Sequence, residues 1–159
     1  MKVAHRYLLP ALLPLLCLFA IALATSSDAA TFQIDDSRSV VLNTNLPMQW
    51  RSLSPAGGDH SVQGLTRVQT KLDTRPWGGQ FGKIFMTLPA QPSGQVQVRW
   101  ETQGIFLSGQ LVSGQRGLVW AGTMPAGLLE DLMTVTIQAD GRLLSATQLL
   151  RFNFEVDVP

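Results

Sequence analysis

The chain has 159 residues, and its 12 Lys and Arg residues nearly balance its 11 Asp and Glu residues. No run of basic residues could follow a phosphate backbone, so the composition argues against nucleic acid as a partner. Cys17 is the single cysteine, which excludes a domain held together by its own disulfide.

The N-terminus resembles an export signal. Lys2 and Arg6 precede an almost wholly apolar run over residues 8–24, and this run ends in the small-residue pattern Ala22-Leu23-Ala24. That order is typical of a secretory signal peptide. A membrane anchor is the rival interpretation, but a run of about 17 residues is at the short limit for spanning a bilayer.

We therefore expect residues 1–24 to be removed, with cleavage as late as residue 30 as the alternative. A single domain over residues 31–159 would remain, with no membrane span and a periplasmic or secreted location. Ten of the 12 basic residues and 10 of the 11 acidic ones belong to that domain, which is close to neutral. A cysteine-free, sequon-free exported domain favours a bacterial envelope.

The first third of the expected domain predicts short strands separated by turns. Met48 and Trp50 alternate with polar residues, which predicts that Trp50 points into the core. In the longer strand, Val68 and Leu72 alternate with charged neighbours. Loops rich in Pro and Gly follow at residues 54–61 and 73–79. The predicted strands are 31–35, 39–44, one around 48–50, and 62–72.

Residues 80–103 predict a β-hairpin around a short Pro/Gly turn. On the first arm Ile84 and Met86 alternate with a set that includes Lys83 and Thr87, and on the second arm Val98 and Trp100 alternate with polar residues. Each arm therefore offers an apolar face on which the other strands can pack.

The C-terminal half adds more strands and one expected helix. Residues 125–133 predict two helical turns, because a proline stands first and three leucines follow at helical spacing. Asp140-Gly141 is a turn pair. Residues 148–158 predict the clearest strand of the chain, because apolar and polar side chains alternate from Leu150 to Val158. The other predicted strands of this half are 118–121 and 134–139.

Eight to ten short strands with frequent turns predict an all-β fold. We expect an immunoglobulin-like antiparallel β-sandwich with at most one short helix, in preference to a small closed barrel.

Catalytic groups are sparse, and we expect no enzyme, no metal and no cofactor. His60 is the only histidine of the expected domain, and its carboxylate and hydroxyl neighbours, Asp59 and Ser61, adjoin it in sequence rather than converging from separate loops. A converging pair of carboxylates for glycoside hydrolysis would be the exception. Glu101 and Glu155 fall on polar strand faces, and Glu130-Asp131 falls in the expected helix.

Trp77 is the best single candidate for a ligand site. It lies in the Pro/Gly loop beside Arg75 and before Gln80, where an aromatic ring could stack on a sugar or anchor a protein. The structural alternative is that Trp77 closes the end of the sandwich, with Arg75 over its ring.

Strand edges are the other candidate, since an exported sandwich can bind a partner by β-augmentation. The N-terminal segment 31–44 and the terminal segment 149–158 are the two choices, and both could instead be interior strands. The residues expected to pair at the terminal edge are Arg151, Phe152, Asn153, Phe154 and Glu155.

An export signal, a small β-sandwich and the lack of a catalytic set resemble, in general terms, the subunits and accessory proteins of bacterial surface fibres. The expected domain departs from chaperone–usher pilins, since it has neither a cysteine pair nor a tyrosine. The resemblance implies a non-enzymatic protein that contacts an envelope protein during assembly or decoration of a surface structure. The alternatives are a carbohydrate-binding module that holds a glycan with Trp77, and a periplasmic hydrolase or inhibitor.

Overall fold

The computed structural model describes residues 29–52, 59–144 and 149–159. Within them the chain forms two antiparallel β-sheets, as expected for an all-β sandwich. The expected signal peptide, residues 1–24, lies outside the described residues, as does most of the predicted loop 54–61. No helix among the described residues is long and apolar enough to cross a membrane.

Ten strands and one 3₁₀ turn, at Arg75–Trp77, make up the described structure. In chain order the strands are β1 (Ala30–Gln33), β2 (Val40–Val41), β3 (Gln49–Trp50), β4 (Ser61–Asp73), β5 (Phe81–Thr87), β6 (Val96–Thr102), β7 (Gly109–Val112), β8 (Arg116–Thr123), β9 (Leu128–Asp140) and β10 (Asn153–Val158).

Sheet A has the order β1-β10-β5-β8, and sheet B has the order β2-β4-β9-β6-β7, with β3 also paired to β4. The long strands β4 and β9 form the centre of sheet B, because they pair over 13 residues each, from Ser61 opposite Asp140 to Asp73 opposite Leu128. The continuous ladder satisfies the backbone groups of both strands.

One face of each sheet contributes to a common core. In β6 the buried side chains are Val96, Val98 and Trp100, and in β10 they begin with Phe154 and Val156. The period of two predicted for these segments is thereby confirmed. Burial of these faces against each other holds the sheets together.

The predicted hairpin at residues 80–103 is wrong. Its arms, β5 and β6, are strands but lie in different sheets: β5 pairs with β8 and β10, and β6 pairs with β7 and β9. The connection 88–95 crosses from one sheet to the other. Both arms have an apolar face, and they meet across the core rather than edge to edge.

The helix predicted at residues 125–133 is also wrong. Residues from Leu128 onward belong to β9, where Leu129, Asp131 and Met133 are buried in alternation. Full pairing with β4 supplies a partner for the β9 backbone, and this outweighs the helical spacing of three leucines. The predicted strand 134–139 is the continuation of this same strand.

The two tryptophans expected in the core behave differently. Trp100 is 1% exposed, and its ring lies so close to Gly109 and Gly117 that a Cβ at either position would overlap it. Trp50 is 50% exposed, so its expected core position is wrong. It belongs to the two-residue strand β3, opposite Val62 near the start of β4, and its ring lies so close to Gly141 that a Cβ there would overlap it.

Candidate binding site

The loop that carries Trp77 is a short 3₁₀ turn fixed from below by Thr74. The buried Thr74 hydroxyl lies 2.9 Å from the carbonyl oxygens of both Pro125 and Gly127. Trp77 is partly buried against the core, and its ring centroid lies 6.1 Å from that of Phe32 on β1. The ring is therefore a wall of the sandwich, with only part of its surface available to a ligand.

In the structure the contacts of Arg75 and Gln80 are with other residues of the chain, and they do not identify a ligand. The Arg75 guanidinium donates to both carboxylate oxygens of Asp73, with Nε at 2.9 and 3.0 Å, instead of lying over the Trp77 ring. This pairing lowers the pKa of Asp73 from its ordinary value of 3.8 to about 2. Gln80 is exposed, and its carbonyl oxygen accepts from the Met124 N–H at 2.9 Å. Ligand binding by these three residues stays a prediction.

The terminal segment lies inside sheet A and is not an edge. Asn153, Phe154 and Glu155 pair with β5, and Glu155 also pairs with Gln33 of β1. Arg151 and Phe152 precede β10 and belong to no strand. The prediction of an edge strand here is corrected, because β10 is already flanked on both sides. That residues 151–155 contact a partner stays a prediction.

The N-terminal segment, the other candidate, does supply edges. β1 ends sheet A and β2 ends sheet B, and residues 34–39 join them. We call β1, β2 and the segment between them the open side. Their apolar side chains are poorly covered, since Val40 is 53% exposed and Phe32 on β1 is 46% exposed. The next residue along the chain, Leu42, is 61% exposed.

A cavity of about 640 Å³ lies between the two sheets and reaches the open side. We call it the inter-sheet cavity. Its floor is the inner face of β4 and β9 in sheet B, and Met86 and Phe154 of sheet A face that floor. The apolar residues that line it are Val41, Leu46, Met48, Val68, Met86, Val96, Met133, Val135, Ile137, Ala139, Leu144, Leu149, Leu150, Phe152 and Phe154.

Polar groups surround the mouth of this cavity. Asp36, Asn43 and Arg151 are among them. Burial raises the pKa of the Asp36 carboxyl. Deeper inside, the Thr70 hydroxyl is directed at the Met133 sulfur at 3.0 Å, so this buried polar group is already occupied. The interior therefore favours apolar groups, while the mouth can form hydrogen bonds.

The segment that borders the cavity is tied to β4 by a few bonds. The Lys71 N–H donates to Ser39 Oγ at 2.8 Å, and the Thr66 hydroxyl donates to the Asn43 carbonyl at 3.1 Å. β2 itself contributes only two residue pairs. Among the residues that the structure describes, no strand lies on the outer side of β2, so backbone groups on that side are open to an added strand.

Asp59 and Ser61, which were considered for catalysis together with His60, are bonded to each other. Asp59 accepts from the backbone N–H and the hydroxyl of Ser61, at 2.9 and 2.5 Å, and no hydrogen bond joins it to His60 in the described structure. These bonds lower the pKa of Asp59. Among the described residues, no three His, Cys, Asp or Glu side chains are grouped so that they could hold a metal ion.

The inter-sheet cavity was not foreseen from the sequence. Its lining combines core positions of distant strands with exposed residues of the segments that connect them, and only the spacing of the two sheets shows that they surround a space. The exposed apolar run Val40-Val41-Leu42 was a usable signal, because three such residues in a row do not fit a strand with one wet face. Asp131 was also missed, since it is buried where a helix was expected.

The chain shows no significant match to a protein-family model, to a curated protein or to a solved structure.

Proposed function

We propose that this chain is an exported, immunoglobulin-like β-sandwich without enzymatic activity that captures an extended segment of a protein partner at its open side. The observation that carries the proposal is the inter-sheet cavity of about 640 Å³, which adjoins the edge strand β2 with its exposed Val40 and Val41. The partner would be a protein of the cell envelope, and the capture would serve assembly or decoration of a surface structure.

Backbone pairing would supply the first part of the affinity. β1 pairs on one side with β10, and β2 pairs on one side with β4. The other side of each strand can donate and accept hydrogen bonds to an added strand, which is the basis of β-augmentation. Backbone pairing depends little on the sequence of the partner, so side-chain contacts are needed to make the binding specific.

The inter-sheet cavity would supply those contacts. An extended segment directs alternate side chains to one face, and the apolar ones could enter between the sheets. Each fully buried Leu, Ile, Val or Phe side chain stabilises a complex by about 1.5–3 kcal/mol. Met48, Met86 and Met133 in the lining favour a tolerant fit, because unbranched thioether side chains adapt to different shapes.

The envelope setting is supported by the sequence. The basic start, the apolar run and the small-residue site of residues 1–24 favour export. A sandwich with a binding groove and no grouped catalytic residues among those described is suited to holding a partner rather than transforming it. Both features agree with the general resemblance to proteins of bacterial surface fibres.

Site-specific photo-crosslinking in the native host tests this proposal. A photoreactive amino acid replaces Val41, at the edge of the cavity, and in a matched variant replaces Gln110 on β7, which is exposed at the other end of sheet B. After irradiation, mass spectrometry identifies the attached protein and the attached segment.

We expect an apolar-alternating segment of one envelope protein to be crosslinked from position 41 and not from position 110. Equal yields of the same protein from both positions would show that the contact is unspecific. No product from position 41 in intact cells, while the protein is exported and folded, would refute capture at the open side.

A further inference from the structure

Four glutamines form a row across the outer face of sheet B. Gln49 of β3 stands opposite Gln63 of β4, Gln63 stands opposite Gln138 of β9, and Gln138 stands opposite Gln97 of β6. Residues directly opposite on neighbouring strands point to the same face. The row therefore crosses four strands at a spacing of about 4.8 Å per strand.

The amides of this row are not used to hold the fold together. None of the four side chains makes a hydrogen bond to another residue within the part of the chain that the structure describes. Gln49, Gln63 and Gln97 are exposed, and Gln138 is half-buried. Each amide carries two donor hydrogens and an acceptor oxygen, so the row presents an array of both kinds of group.

A shallow hollow of about 290 Å³ lies at one end of the row. Gln95, Gln97 and Gln138 contribute to its lining. The first residue of β4, the two residues before it, and the last residues of β9 with the turn that follows complete the lining. These residues are Asp59, His60, Ser61, Ala139, Asp140 and Arg142.

The charges around the hollow disfavour an anion. Arg142 Nε donates to Asp140 at 3.0 Å, and this pairing lowers the pKa of Asp140 to about 2. Asp59, held by Ser61, also has a lowered pKa, so both carboxylates are ionised at neutral pH. Arg142 offsets one of these two charges, and the charge of Arg51 acts on the other, at Asp59, so the hollow has no excess of positive charge. A phosphate, a sulfate or an acidic sugar would meet two carboxylates there and nothing that favours it over a neutral ligand.

We propose that this face binds a neutral oligosaccharide, with Gln97 and Gln138 as its central contacts. Neighbouring sugar hydroxyls each donate and accept, and amides that do both are suited to pairs of them. The hollow would hold one end of the oligosaccharide, and the glutamine row would support the rest. This site lies on the outer face of sheet B, whereas the inter-sheet cavity lies on its inner face, so each can be occupied or lost without the other.

Affinity electrophoresis of the full chain tests the proposal. Native gels contain dextran, a soluble β-glucan or galactomannan as neutral polymers, and polygalacturonate as the acidic comparator. The test variant is Q97A/Q138A. Gln110→Ala is the matched control, because Gln110 is an exposed glutamine of the same sheet that does not line the hollow.

We expect at least one neutral polymer to retard the native chain and the Gln110→Ala variant equally. Retardation of Q97A/Q138A should correspond to about tenfold weaker binding, since two hydrogen-bonding side chains are lost. Gln97→Glu keeps the shape of the side chain and serves as a second variant if the double variant melts early. It too should bind more weakly, because an acceptor-only group replaces the amide.

Three results would overturn the proposal. One is a native chain that no neutral polymer retards. Another is a folded Q97A/Q138A or Gln97→Glu variant that binds as the native chain does. The third is stronger retardation by polygalacturonate than by any neutral polymer.

Discussion

The two sides of this sandwich are built in different ways. Where β7 and β8 end the sheets, Leu107 in the loop between β6 and β7 links them: its N–H donates to the Val119 carbonyl of β8 at 2.7 Å, and its carbonyl accepts from the Trp100 indole N–H of β6 at 2.7 Å. We call this the closed side. On the open side, β1 and β2 are short, apolar side chains are exposed, and a cavity separates the sheets.

This difference indicates a division of labour. The closed side contains the largest fully buried side chain, Trp100, and a buried carboxylate that fixes the neighbouring loop. The open side leaves apolar surface and edge backbone groups exposed to solvent, and exposed surface of this kind contributes little to the stability of the free protein. Substitutions on the two sides should therefore have different consequences.

The largest effect is expected at Trp100 on the closed side. Trp100→Ala removes a ring that is 1% exposed and leaves a cavity between Gly109 and Gly117. We expect a loss of about 3–5 kcal/mol in the free energy of unfolding. Urea denaturation followed by far-UV circular dichroism measures it. If Trp100→Ala costs less stability than substitutions on the open side, the two sides do not differ as described.

A matched pair of overpacking substitutions separates the two sides directly. Val119→Phe inserts a ring where Val119 is fully buried, and we expect a cost of about 1–3 kcal/mol. Val135→Phe directs the same ring into the inter-sheet cavity, where space is available, and we expect a change below about 1 kcal/mol.

The same pair also tests the proposed capture. Val135→Phe should abolish crosslinking from position 41 while thermal melting stays close to that of the native protein. Equal destabilisation by the two phenylalanines would show that the cavity is not an available space.

Asp131 is expected to have the next effect. Its Oδ2 accepts the buried Phe106 N–H at 2.8 Å, and Oδ1 accepts the Leu132 N–H at 2.7 Å. Asp131→Ala leaves these donors without an acceptor and should cost about 1–3 kcal/mol, measured by urea denaturation. Asp131→Asn, the control, keeps one acceptor oxygen and should lose less. Equal stability of the Ala and Asn variants would show that the hydrogen bond from the Phe106 N–H does not contribute to the free energy of unfolding.

Trp77 should have a smaller effect, because its ring is only partly buried. Trp77→Ala removes the contact with Phe32 and part of the wall of the core, and we expect a loss of about 1 kcal/mol in the free energy of unfolding, measured by urea denaturation. Unchanged stability together with loss of glycan binding would instead favour a ligand-binding tryptophan. Unchanged crosslinking from position 41 would separate this residue from the protein-binding site.

The smallest effects should come from two carboxyl groups whose pKa values are displaced in opposite directions. The Asp73 pKa is lowered to about 2 by Arg75, so its stabilising contribution is present above pH 3.8 and is lost as the pH falls towards 2. Asp73→Asn should be less stable than the native protein at neutral pH, and the difference should disappear at low pH.

Asp36 should behave in the opposite way. Burial at the mouth of the cavity raises its pKa, so ionisation costs stability as the pH rises above 3.8. Asp36→Asn should therefore be slightly more stable than the native protein at neutral pH and equal to it in acid. Melting temperatures between pH 2 and pH 7 measure both variants, and the same sign of change in both would contradict these assignments.

The sequence was most informative where a strand has one buried face and one wet face. The alternation of Val68, Thr70 and Leu72 in β4, and of Phe154, Val156 and Val158 in β10, appears in the structure as expected. These patterns are local, since each strand shows its own period of two. They are sufficient to predict an all-β protein with packed sheets.

The errors occurred where the outcome depends on distant residues. Nothing local to residues 88–95 shows that β5 and β6 enter different sheets, because that choice depends on partners such as β8 and β9. Similarly, Leu128, Leu129 and Leu132 suit a helix until β4 offers thirteen residues of pairing. The inter-sheet cavity is the extreme case, since it is a space between residues rather than a property of any of them.

Hydrogen exchange of the amide groups, measured on the free protein and on its complex with the crosslinked partner segment, is the most direct test of the account. We expect β1 and β2 to exchange rapidly in the free protein and to become protected in the complex, together with the neighbouring residues of β4, while β7 and β8 stay unchanged. Protection gained on the closed side, with none at β1 or β2, would contradict capture at the open side.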